Sequence, residues 1–483
     1  MTSFNITGFS TTVQTLIDAE VGFISRLGSL VTGGTAVTMS GGTLNNTGEI
    51  FSANTAVIFS AQVNILNSGT MSATGGFGVL YGSNSTVSTS YLRLTNTGAI
   101  LGVGPGTDGI LVETGGNRII NHGTISSAED DAIQIFSGSA FGAGNLVVNS
   151  GTISGFNGLE ITNDGVDRII NTGLIAGQEG SFAISLFGAG GDRLVNSGRI
   201  VGDVLLDGGN DTLDARGGEI IGVVEGGTGD DLYMIDSAGI EIEEFLAGGT
   251  DTVRAWVDYE LTGEVEVLLM QGNAVLGGGN ASANTITGNA AGNLIFGDAG
   301  NDTLSGLGGH DSIEGETGND SILGGRGNDT LLGGVGLDTI SGDDGNDLIE
   351  GGDNNDQISG GAGNDTITGG AGADRLSGNA GADVFVFTAI SDSTPFASGR
   401  DQISGFTTGV DRIDLSAIDA NVASLANNAF VRVGAFTGTA GQLIIRSAGG
   451  NGFIEGDVNG DGLADFSIMV VGVTSFEVAD IIL

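Results

Sequence analysis

Large apolar residues recur every nine positions between residues 297 and 386, and each is flanked by polar residues or glycine. One apolar residue per unit cannot form a core alone, so successive units must stack. The pattern predicts very short strands joined by glycine-rich turns, with two nonapeptides in each coil of the chain. The repeated apolar positions are Leu304, Ile313, Ile322, Leu331, Ile340, Ile349, Ile358, Ile367, Leu376 and Phe385.

A different repeat occupies the first two hundred residues. The pattern Asn-x-Gly-x-apolar begins at residues 46, 67, 96, 121, 149, 171 and 196, with spacings of 21 to 29 residues. Between copies lie short alternating segments such as "DAIQIF" and a further segment such as "DRIIN". Three short strands per repeat predict a parallel β-helix. Stacked asparagines are expected to link their side-chain amides along its axis.

These patterns predict an all-β chain with four parts. Residues 1–200 form a parallel β-helix, and residues 201–287 form a β-rich transition with partial repeats. Residues 288–386 form a parallel β-roll, and residues 387–483 form a β-rich C-terminal cap. Unpaired strand edges at the first coil of a β-helix join other chains unless something covers them.

The segment "TTVQTLIDAEVGFISRLGSL" is the candidate cover for those edges. Its apolar residues could form one face of a helix, and a strand is an equal alternative. The apolar residues concerned are Val13, Leu16, Ile17, Val21, Ile24 and Leu27.

An aspartate stands two residues before each apolar residue of the nonapeptides. Strands two units apart lie about 4.8 Å from one another, so their carboxylates would repel. Calcium relieves this repulsion, because it accepts six to eight oxygens from carboxylates and backbone carbonyls, which glycine turns can point inward. The pairing of repeats predicts about eight calcium sites. The predicted ligands are Asp302, Asp311, Asp320, Asp329, Asp338, Asp347, Asp356, Asp365, Asp374 and Asp383.

Residues 297–386 resemble the calcium-binding β-roll of RTX (hemolysin-type) proteins, whose nonapeptide is G-G-x-G-x-D-x-U-x with U a large apolar residue. "GGRGNDTLLGGVGLDTIS" carries this unit twice. Asn284 and Asn293 replace the aspartate in two entry coils, which are expected to be poor in metal. Other residues replace a glycine, namely Asp298, Leu307, Glu316, Asp343, Asn354 and Asn379.

Further metal ligands are predicted outside the regular repeats. Asp231 lies in a complete unit, "GGTGDDLYM", while Asp211 and Asp251 lie in shortened units. "DVNGDGLAD" resembles an EF-hand or dockerin-type loop with Asp457, Asn459 and Asp461 as ligands. Because Ile468 stands where an EF-hand has its bidentate glutamate, this is either a weaker ion site or a turn between strands.

The C-terminal region is similar to that of serralysin-type proteases and their RTX relatives, in segments such as "RDQISGFTTGVDRIDLSAID" and "SFEVADIIL". The resemblance implies an uncleaved C-terminal signal that is read by the type I secretion machinery of a Gram-negative bacterium. The first positive charge is Arg26, which does not fit the basic start of a cleaved secretory signal. An extracellular or cell-surface location follows from the resemblance.

Composition excludes several classes of protein. The fourteen basic residues are all arginine, and the net charge of −44 argues against nucleic acid as a partner. There is no cysteine, and no run of eighteen apolar residues suits a transmembrane helix. The two histidines, His122 and His310, cannot form the H-E-x-x-H motif of a zinc protease.

An enzymatic alternative rests on three aspartates of the β-helix. Asp108, in "TDGILV", and Asp130 with Asp131, in "AEDDAIQI", resemble the aspartate motifs of polygalacturonase-type glycosidases. Such a pair could supply a general acid and a general base. However, Asp108 and Asp131 share their repeat position with Asn157 and Thr55, which favours ordinary turn residues.

The sequence therefore predicts a type I-secreted, calcium-folded extracellular protein with a structural or adhesive role at the cell surface. It is expected to assemble with copies of itself into a layer or filament, with polysaccharide as a further candidate partner. The alternative is a β-helix enzyme (lyase, hydrolase or epimerase) that acts on polysaccharide, and a third class is an ice, host or glycan binder. No catalytic residue is assigned.

Overall fold

The computed structural model describes residues 3–17, 20–82, 91–137, 143–246, 248–421 and 428–483. Two compact units make up the chain, Met1–Arg254 and Ala255–Leu483. Among the described residues the regular structure is β, apart from one 3₁₀ helix at Val478–Asp480. None of the described helical structure is long and apolar enough to span a membrane. The predicted all-β class is confirmed.

Within the described residues each coil of the first unit contributes one strand to each of three parallel sheets, except the last coil, which contributes to the first and third only. The first sheet contains Phe4–Ile6, Val21–Ile24, Thr43–Asn46, Val63–Asn67, Leu92–Asn96, Arg118–Asn121, Leu146–Asn149, Arg168–Asn171, Arg193–Asn196, Thr212–Asp214 and Leu232–Ile235. The second contains Phe9–Ser10, Ser29–Thr32, Glu49–Ser52, Thr70–Ala73, Ala99–Gly102, Thr124–Ser127, Thr152–Ser154, Leu174–Ala176, Arg199–Val201 and Glu219–Ile221. The third contains Gln14–Leu16, Val37–Met39, Val57–Phe59, Gly78–Gly82, Asp108–Val112, Ile133–Phe136, Leu159–Thr162, Phe182–Phe187, Asp203–Leu205, Val223–Glu225 and Glu241–Glu243. Thr252–Ala255 is a further strand at the boundary of the units.

The core of the first unit is built from stacked aliphatic side chains. Ile100, Ile125 and Ile153 pair in register in the second sheet and are fully buried. Because side chains alternate along a strand, the polar neighbours of these residues point away from the core. The predicted β-helix is confirmed, and its three-sheet coil continues past residue 200 as far as Glu241–Glu243.

An asparagine ladder runs along the corner that follows the first sheet. Each side-chain amide donates to the side-chain oxygen of the asparagine in the next coil, at 2.7 to 2.8 Å. All members are almost completely buried. The ladder confirms the expected stacking of the Asn-x-Gly repeat. Its members are Asn46, Asn67, Asn96, Asn121, Asn149, Asn171 and Asn196.

Replacing Asn121 by alanine is expected to destabilise the first unit by about 2–4 kcal/mol. The change removes the buried hydrogen bonds to Asn96 and Asn149 and leaves the side-chain amides of both residues with fewer partners. Amide hydrogen exchange in residues 92–152 should be faster, while the exposed control Asn5→Ala should change stability by no more than about 0.5 kcal/mol. Equal exchange in the two variants would show that the ladder does not stabilise the coil.

Residues 11–30 form strands of the first two coils, so the helical alternative for this segment is wrong. Leu16 and Ile24 point into the core, whereas Ile17 and Leu27 are 54% and 86% exposed. Gln14–Leu16 and Val21–Ile24 pair in parallel with strands of the next coil, and this pairing gives the backbone N–H and C=O groups hydrogen-bond partners. A helix lying across the edge would leave the backbone groups of the edge strands without partners. The segment therefore does not cover the first coil. Asp18 and Ala19 lie outside the described residues.

Two parallel sheets form most of the second unit. One contains Val267–Met270, Thr285–Thr287, Thr303–Ser305, Ser321–Arg326, Thr339–Asp344, Gln357–Ala362, Arg375–Ala380 and Gln402–Ser404. The other contains Tyr259–Glu260, Leu276–Gly278, Leu294–Phe296, Ser312–Thr317, Thr330–Val335, Leu348–Asp353, Thr366–Ala371, Val384–Val386, Arg412–Asp414 and Ile481–Ile482. The ten apolar residues of the nonapeptides are all at most 2% exposed, as the sequence predicts.

An antiparallel meander follows the roll. Gln442–Ala448, Asn451–Asp457 and Phe466–Val470 pair in sequence, and Val431–Val433 adds a parallel strand to Gln442–Ala448. Phe466–Val470 also pairs with the roll strand Gln402–Ser404. The C-terminal segment therefore extends one sheet of the roll through the meander.

Candidate metal centre

The aspartates of the nonapeptides form two rows, one at each turn of the roll. Strands two nonapeptides apart are neighbours, so each row contains every second repeat. All members are at most 2% exposed. The first row contains Asp302, Asp320, Asp338, Asp356, Asp374 and Asp401, and the second row contains Asp311, Asp329, Asp347, Asp365, Asp383 and Asp411.

One oxygen of each carboxylate is held by the backbone. The N–H of Asp320 donates to Asp338 Oδ1 at 2.8 Å, and the N–H of Asp338 donates to Asp356 Oδ1 at 2.9 Å. The same bond links successive members along both rows. These bonds fix the direction of every carboxylate, so the second oxygen of each points the same way.

That second oxygen, Oδ2, accepts no hydrogen bond within the described residues in any of the ten predicted aspartates or in Asp401. A Cβ added to Gly315 would lie 2.5 Å from Asp320 Oδ2 and 2.6 Å from the carbonyl oxygen of Gly333. Carboxylate and carbonyl oxygens therefore converge on a space that only glycine leaves open. A buried carboxylate oxygen without a donor is costly, and calcium accepts this set of oxygens. The residues fit calcium.

Burial raises the pKa of the ten nonapeptide aspartates and of Asp401, and backbone N–H donors oppose the rise only in part. The pKa of Asp320 rises to about 6, that of Asp356 to about 7 and that of Asp401 to about 9. Neighbouring aspartates of the same row add to the effect. Without a cation, the folded roll therefore holds protons that an unfolded chain would release.

In a chelator, the stability of the roll is expected to fall by a few kcal/mol as the pH rises from about 4 to about 8. The stabilisation is fully present below the ordinary aspartate pKa of 3.8 and is lost as the pH passes the raised values near 6 and 7. Circular dichroism during a pH titration would measure this. With calcium bound the dependence should reverse, because protons then compete with the ion; a flat profile in the chelator would contradict the account.

The non-glycine residues at glycine positions keep the backbone of the repeat. Leu307 has φ of 69°, and Asp298, Glu316, Asp343, Asn354 and Asn379 also have positive φ, between 67° and 84°. The left-handed conformation costs an L-residue about 1–2 kcal/mol. These departures therefore preserve the turns and cost some stability.

Leu307→Gly is expected to stabilise the calcium-loaded roll by about 0.5–1 kcal/mol, because glycine removes the strain but adds entropy to the unfolded chain. Gly325→Ala is the opposite control. Gly325 occupies the next coil at the same position, with φ of 107°, and an added Cβ would lie 2.5 Å from the carbonyl oxygen of Leu307. Thermal unfolding should rank Leu307→Gly, wild type and Gly325→Ala in falling order, and any other order contradicts the strain argument.

In the two entry coils, hydrogen bonds to asparagine side chains take the place that a metal ion would have beside an aspartate. The side-chain oxygens of Asn284 and Asn293 accept the backbone N–H groups of Asn280 and Asn289, at 2.7 and 2.8 Å. Their amide groups donate to backbone carbonyls. Both ends of each asparagine are thus satisfied by the protein, which gives a geometric reason to expect little metal there.

Two members of the rows were missed by sequence reasoning. Asp401 and Asp411 accept the N–H groups of Asp374 and Asp383, and so continue the rows beyond the last nonapeptide. Their separation is 27 and 28 residues instead of 18. Both aspartates keep the Asp-x-Ile pattern of the nonapeptides, in "DQI" and "DRI". They lie beyond the last nonapeptide, so the nine-residue period does not identify them.

The predicted ligands of the transition belong to a related ladder in the first unit. The N–H groups of Asp167, Asp192, Asp211 and Asp231 each donate to Oδ1 of the next aspartate, ending at Asp251. Asp211 Oδ2 and Asp231 Oδ2 accept no hydrogen bond within the described residues.

One further carboxylate joins the end of this ladder. Asp231, Asp251 and Glu244 each place an oxygen within 4.8 Å of the other two, which suits a cation. Asp167, Asp192 and Glu244 were not predicted, because the irregular coil lengths hide their shared position.

The loop at Asp457 satisfies its own side chains. Asp457 accepts the backbone N–H groups of Gly460 and Gly462, at 2.6 and 2.9 Å. Asn459 and Asp461 accept N–H groups two residues further on. Ile468, at the twelfth loop position, is buried in the strand Phe466–Val470. These contacts suit the turn alternative, and an ion at this loop stays a prediction.

The three aspartates of the enzymatic alternative come together. Asp108, Asp130 and Asp131 each place an oxygen within 4.8 Å of the other two. Asp131 and Asn157 also meet, because the N–H of Asn157 donates to Asp131 Oδ1 at 2.9 Å. The structure therefore shows both the turn position that Asp131 shares with Asn157 and the close approach of the three carboxylates that the enzymatic alternative needs.

Comparisons with known proteins agree with the C-terminal resemblance. Residues 287–483 match the family model "Peptidase M10 serralysin C terminal". Metalloprotease AprA of Pseudomonas entomophila (strain L48) is 44% identical over 90 residues, which is 18% of each chain. Metallopeptidase AprA of Pseudomonas marginalis is 44% identical over 90 residues, 18% of this chain and 17% of that protein. The chain thus spans less than a fifth of the length of these relatives.

Two solved structures from Azotobacter vinelandii mannuronan C5-epimerase also show similarity. The AlgE6R2 subunit is 23% identical, with 32% of this chain and 87% of that chain covered and a TM-score of 0.21. The AlgE6R3 subunit is 23% identical, with coverage of 38% and 80% and a TM-score of 0.18.

Proposed function

We propose that this chain is exported by a type I route, folds on calcium outside the cell, and acts as a structural or adhesive surface protein. The observation that carries the proposal is the pair of aspartate rows. In the ten nonapeptide aspartates one oxygen is fixed by the backbone and the other has no donor within the described residues, and at Gly315 that second oxygen and a glycine carbonyl converge on the same space. The serralysin-type match over residues 287–483 supports the export step.

In this proposal, the calcium concentration decides whether the roll is unfolded, inside the cell, or folded, outside it. Residues 201–483 contain forty-five acidic residues and eight arginines, so without cations this half repels itself. A chain held open in this way suits passage through a narrow export channel. Higher calcium outside the cell then neutralises the rows and stabilises the roll, because an ion that binds only the folded form shifts the equilibrium toward it.

The first unit carries a patch of the opposite charge. The arginine row consists of Arg93, Arg118, Arg168 and Arg193, which lie in register on exposed positions of the first sheet, with Leu146 between the two pairs. Neighbouring strands place the two side chains of each pair about 4.8 Å apart. Within the described residues none of the four forms an ion pair. Arginine favours carboxylate partners, so an acidic surface complements this row.

The acidic surface with the best support is the second half of another copy. That half has a net charge of −37, and the whole chain has −44, so the arginine row is an exception on an acidic molecule. We infer that copies associate by placing the arginine row of one against acidic side chains of the next. Such a contact repeats head to tail and would give the expected layer or filament.

Light scattering at millimolar calcium tests the assembly. The wild type should form oligomers that dissociate as salt rises, and Arg118→Gln/Arg168→Gln should assemble at least tenfold more weakly. The double variant Arg375→Gln/Arg432→Gln removes the same charge from exposed positions of the second unit and is the control. A strict monomer at every protein concentration would overturn the assembly proposal. Binding of an anionic polysaccharide to a monomer through the arginine row would favour the adhesive role instead.

One observation favours the enzymatic alternative. Burial raises the pKa of Asp108 to about 8 and that of Asp131 to about 6, which separates a proton donor from a proton acceptor. Incubation with anionic polysaccharides would reveal new reducing or unsaturated ends if this pair is catalytic. Asp108→Ala should then abolish the cleavage, and the absence of new ends with a panel of uronate polymers would reject this alternative.

A further inference from the structure

A cluster of three carboxylates lies where two neighbouring strands of the third sheet begin. Asp108 starts the strand Asp108–Val112, and Asp131 lies two residues before the strand Ile133–Phe136. Ile110 pairs with Ile133, so Asp108 and Asp131 stack in adjacent coils. Asp130 joins them, and one oxygen of each residue lies within 4.8 Å of the other two.

Hydrogen bonds hold two of the carboxylates and leave one oxygen of the third without a donor within the described residues. Asp131 accepts the N–H of Asn157 at 2.9 Å on Oδ1 and the amide of Gln134 at 3.4 Å on Oδ2. Asp130 Oδ1 accepts the N–H of Asp131 at 3.1 Å. Asp108 is only 4% exposed, yet its Oδ1 accepts no hydrogen bond within the described residues. This oxygen is buried beside two other carboxylates and needs a positively charged or donating partner.

The charged side chains around Asp108 increase the cost of leaving its buried oxygen without a positively charged partner. Burial, together with the acidic side chains of Asp130, Asp131 and Glu160, raises the pKa of Asp108 to about 8, and a hydrogen bond from the backbone of Asp131 opposes the rise only in part. A proton would neutralise only one carboxylate of the cluster. A divalent cation would serve all three, because it attracts each oxygen at once.

The geometry points to a hard divalent cation bound by Asp108, Asp130 and Asp131, and we propose calcium as its physiological form. A point equidistant from three atoms separated by 4.8 Å lies about 2.8 Å from each, close to the 2.3–2.6 Å of calcium–oxygen bonds. Asp130 is half-buried, so water can complete the six to eight ligands on that side. The site takes calcium without a glycine carbonyl or an RTX unit.

The coils next to this cluster carry no carboxylate at the same position. The equivalent position in the preceding coil is Gly78, and the equivalent position in the following coil is Asn157. Thr55 occupies it one coil earlier still. A single ion here would join the coils at Asp108 and Asp131, separately from the aspartate rows of the second unit and from any assembly.

Hydrogen exchange of the full chain tests the proposal locally. At pH 8, calcium at a hundred times its dissociation constant should slow exchange in the strands Asp108–Val112 and Ile133–Phe136 by about a hundredfold. Asp108→Asn should remove this calcium effect while the roll strands still respond. Without metal, the Asp108→Asn variant should be at least as stable as the wild type, because the substitution removes a buried charge beside two like charges. If Asp108 had only a structural role, the same substitution would lower the stability. Asp164→Asn, an equal charge change at an exposed turn, should behave as the wild type.

Crystals grown with terbium give a second, positional readout. An anomalous peak between Asp108, Asp130 and Asp131 is expected in the wild type and in Asp164→Asn, and it should be absent in Asp108→Asn. No peak at this cluster, together with exchange that calcium does not change, would overturn the proposal and leave a proton as the neutralising group. Peaks at the aspartate rows would still appear in that case, so failure here is distinguishable from failure of the proposed function.

Discussion

Removal of calcium is expected to unfold the roll of the second unit. Each ion that binds only the folded form contributes about 2.7 kcal/mol when calcium is at a hundred times its dissociation constant. About eight such ions would exceed the 5–15 kcal/mol by which a domain is usually stable. Hydrogen exchange in a chelator at pH 8 should therefore show loss of protection throughout residues 297–386, and circular dichroism should show loss of strand signal.

A single-residue comparison makes this result specific. Asp338→Asn removes one ligand from the middle of the first row, and the midpoint of calcium-dependent folding should shift to a higher concentration. Asp344→Asn is the matched control, because its side chain is 72% exposed and faces Arg326 at the surface. Equal midpoints for the two variants, or a strand signal unchanged by the chelator, would contradict calcium-dependent folding.

Deletion of the last sixty residues is expected to abolish export and leave the protein inside the cell. The deleted part includes Phe466–Val470 and Ile481–Ile482, which add strands to Gln402–Ser404 and Arg412–Asp414. It is also the C-terminal part of the region similar to serralysins, on which the export proposal rests.

The matched control for export is deletion of residues 1–30, which removes strands of the first two coils but leaves the C-terminal segment intact. The amount of protein in the medium is expected to fall to background only for the C-terminal deletion. Secretion of that truncated chain, or loss of export in the N-terminal deletion alone, would place the export signal elsewhere.

The repeats were predictable from the sequence because each motif occupies the same position in every coil. The asparagine ladder and the buried aliphatic rows follow from residues that recur at fixed positions of a coil, so one correct assignment determines all members. The helix or strand choice for residues 11–30 was not decided by pattern, because Leu16 and Ile24 satisfy both periods. Pairing with the next coils decides it in favour of strands.

The parts of the site that sequence missed lie where the coil length varies. Asp401 and Asp411 continue the two rows after gaps of 27 and 28 residues, which no fixed period reveals. Glu244 reaches Asp231 and Asp251 from an irregular segment. The approach of Asp108 to Asp131 depends on the pairing of Ile110 with Ile133, a long-range contact. In all three cases the geometry of neighbouring coils carries the information.

The central claim is that the aspartate rows bind calcium through the oxygens that lack donors. Anomalous diffraction from crystals grown with calcium and then exchanged into terbium tests it most directly. Two lines of peaks are expected, one along each turn of the roll, with each peak in bonding distance of an aspartate Oδ2 and a glycine carbonyl such as those of Asp320 and Gly333. A folded roll with no peaks at these turns, and water or protons at the Oδ2 atoms, would contradict the account.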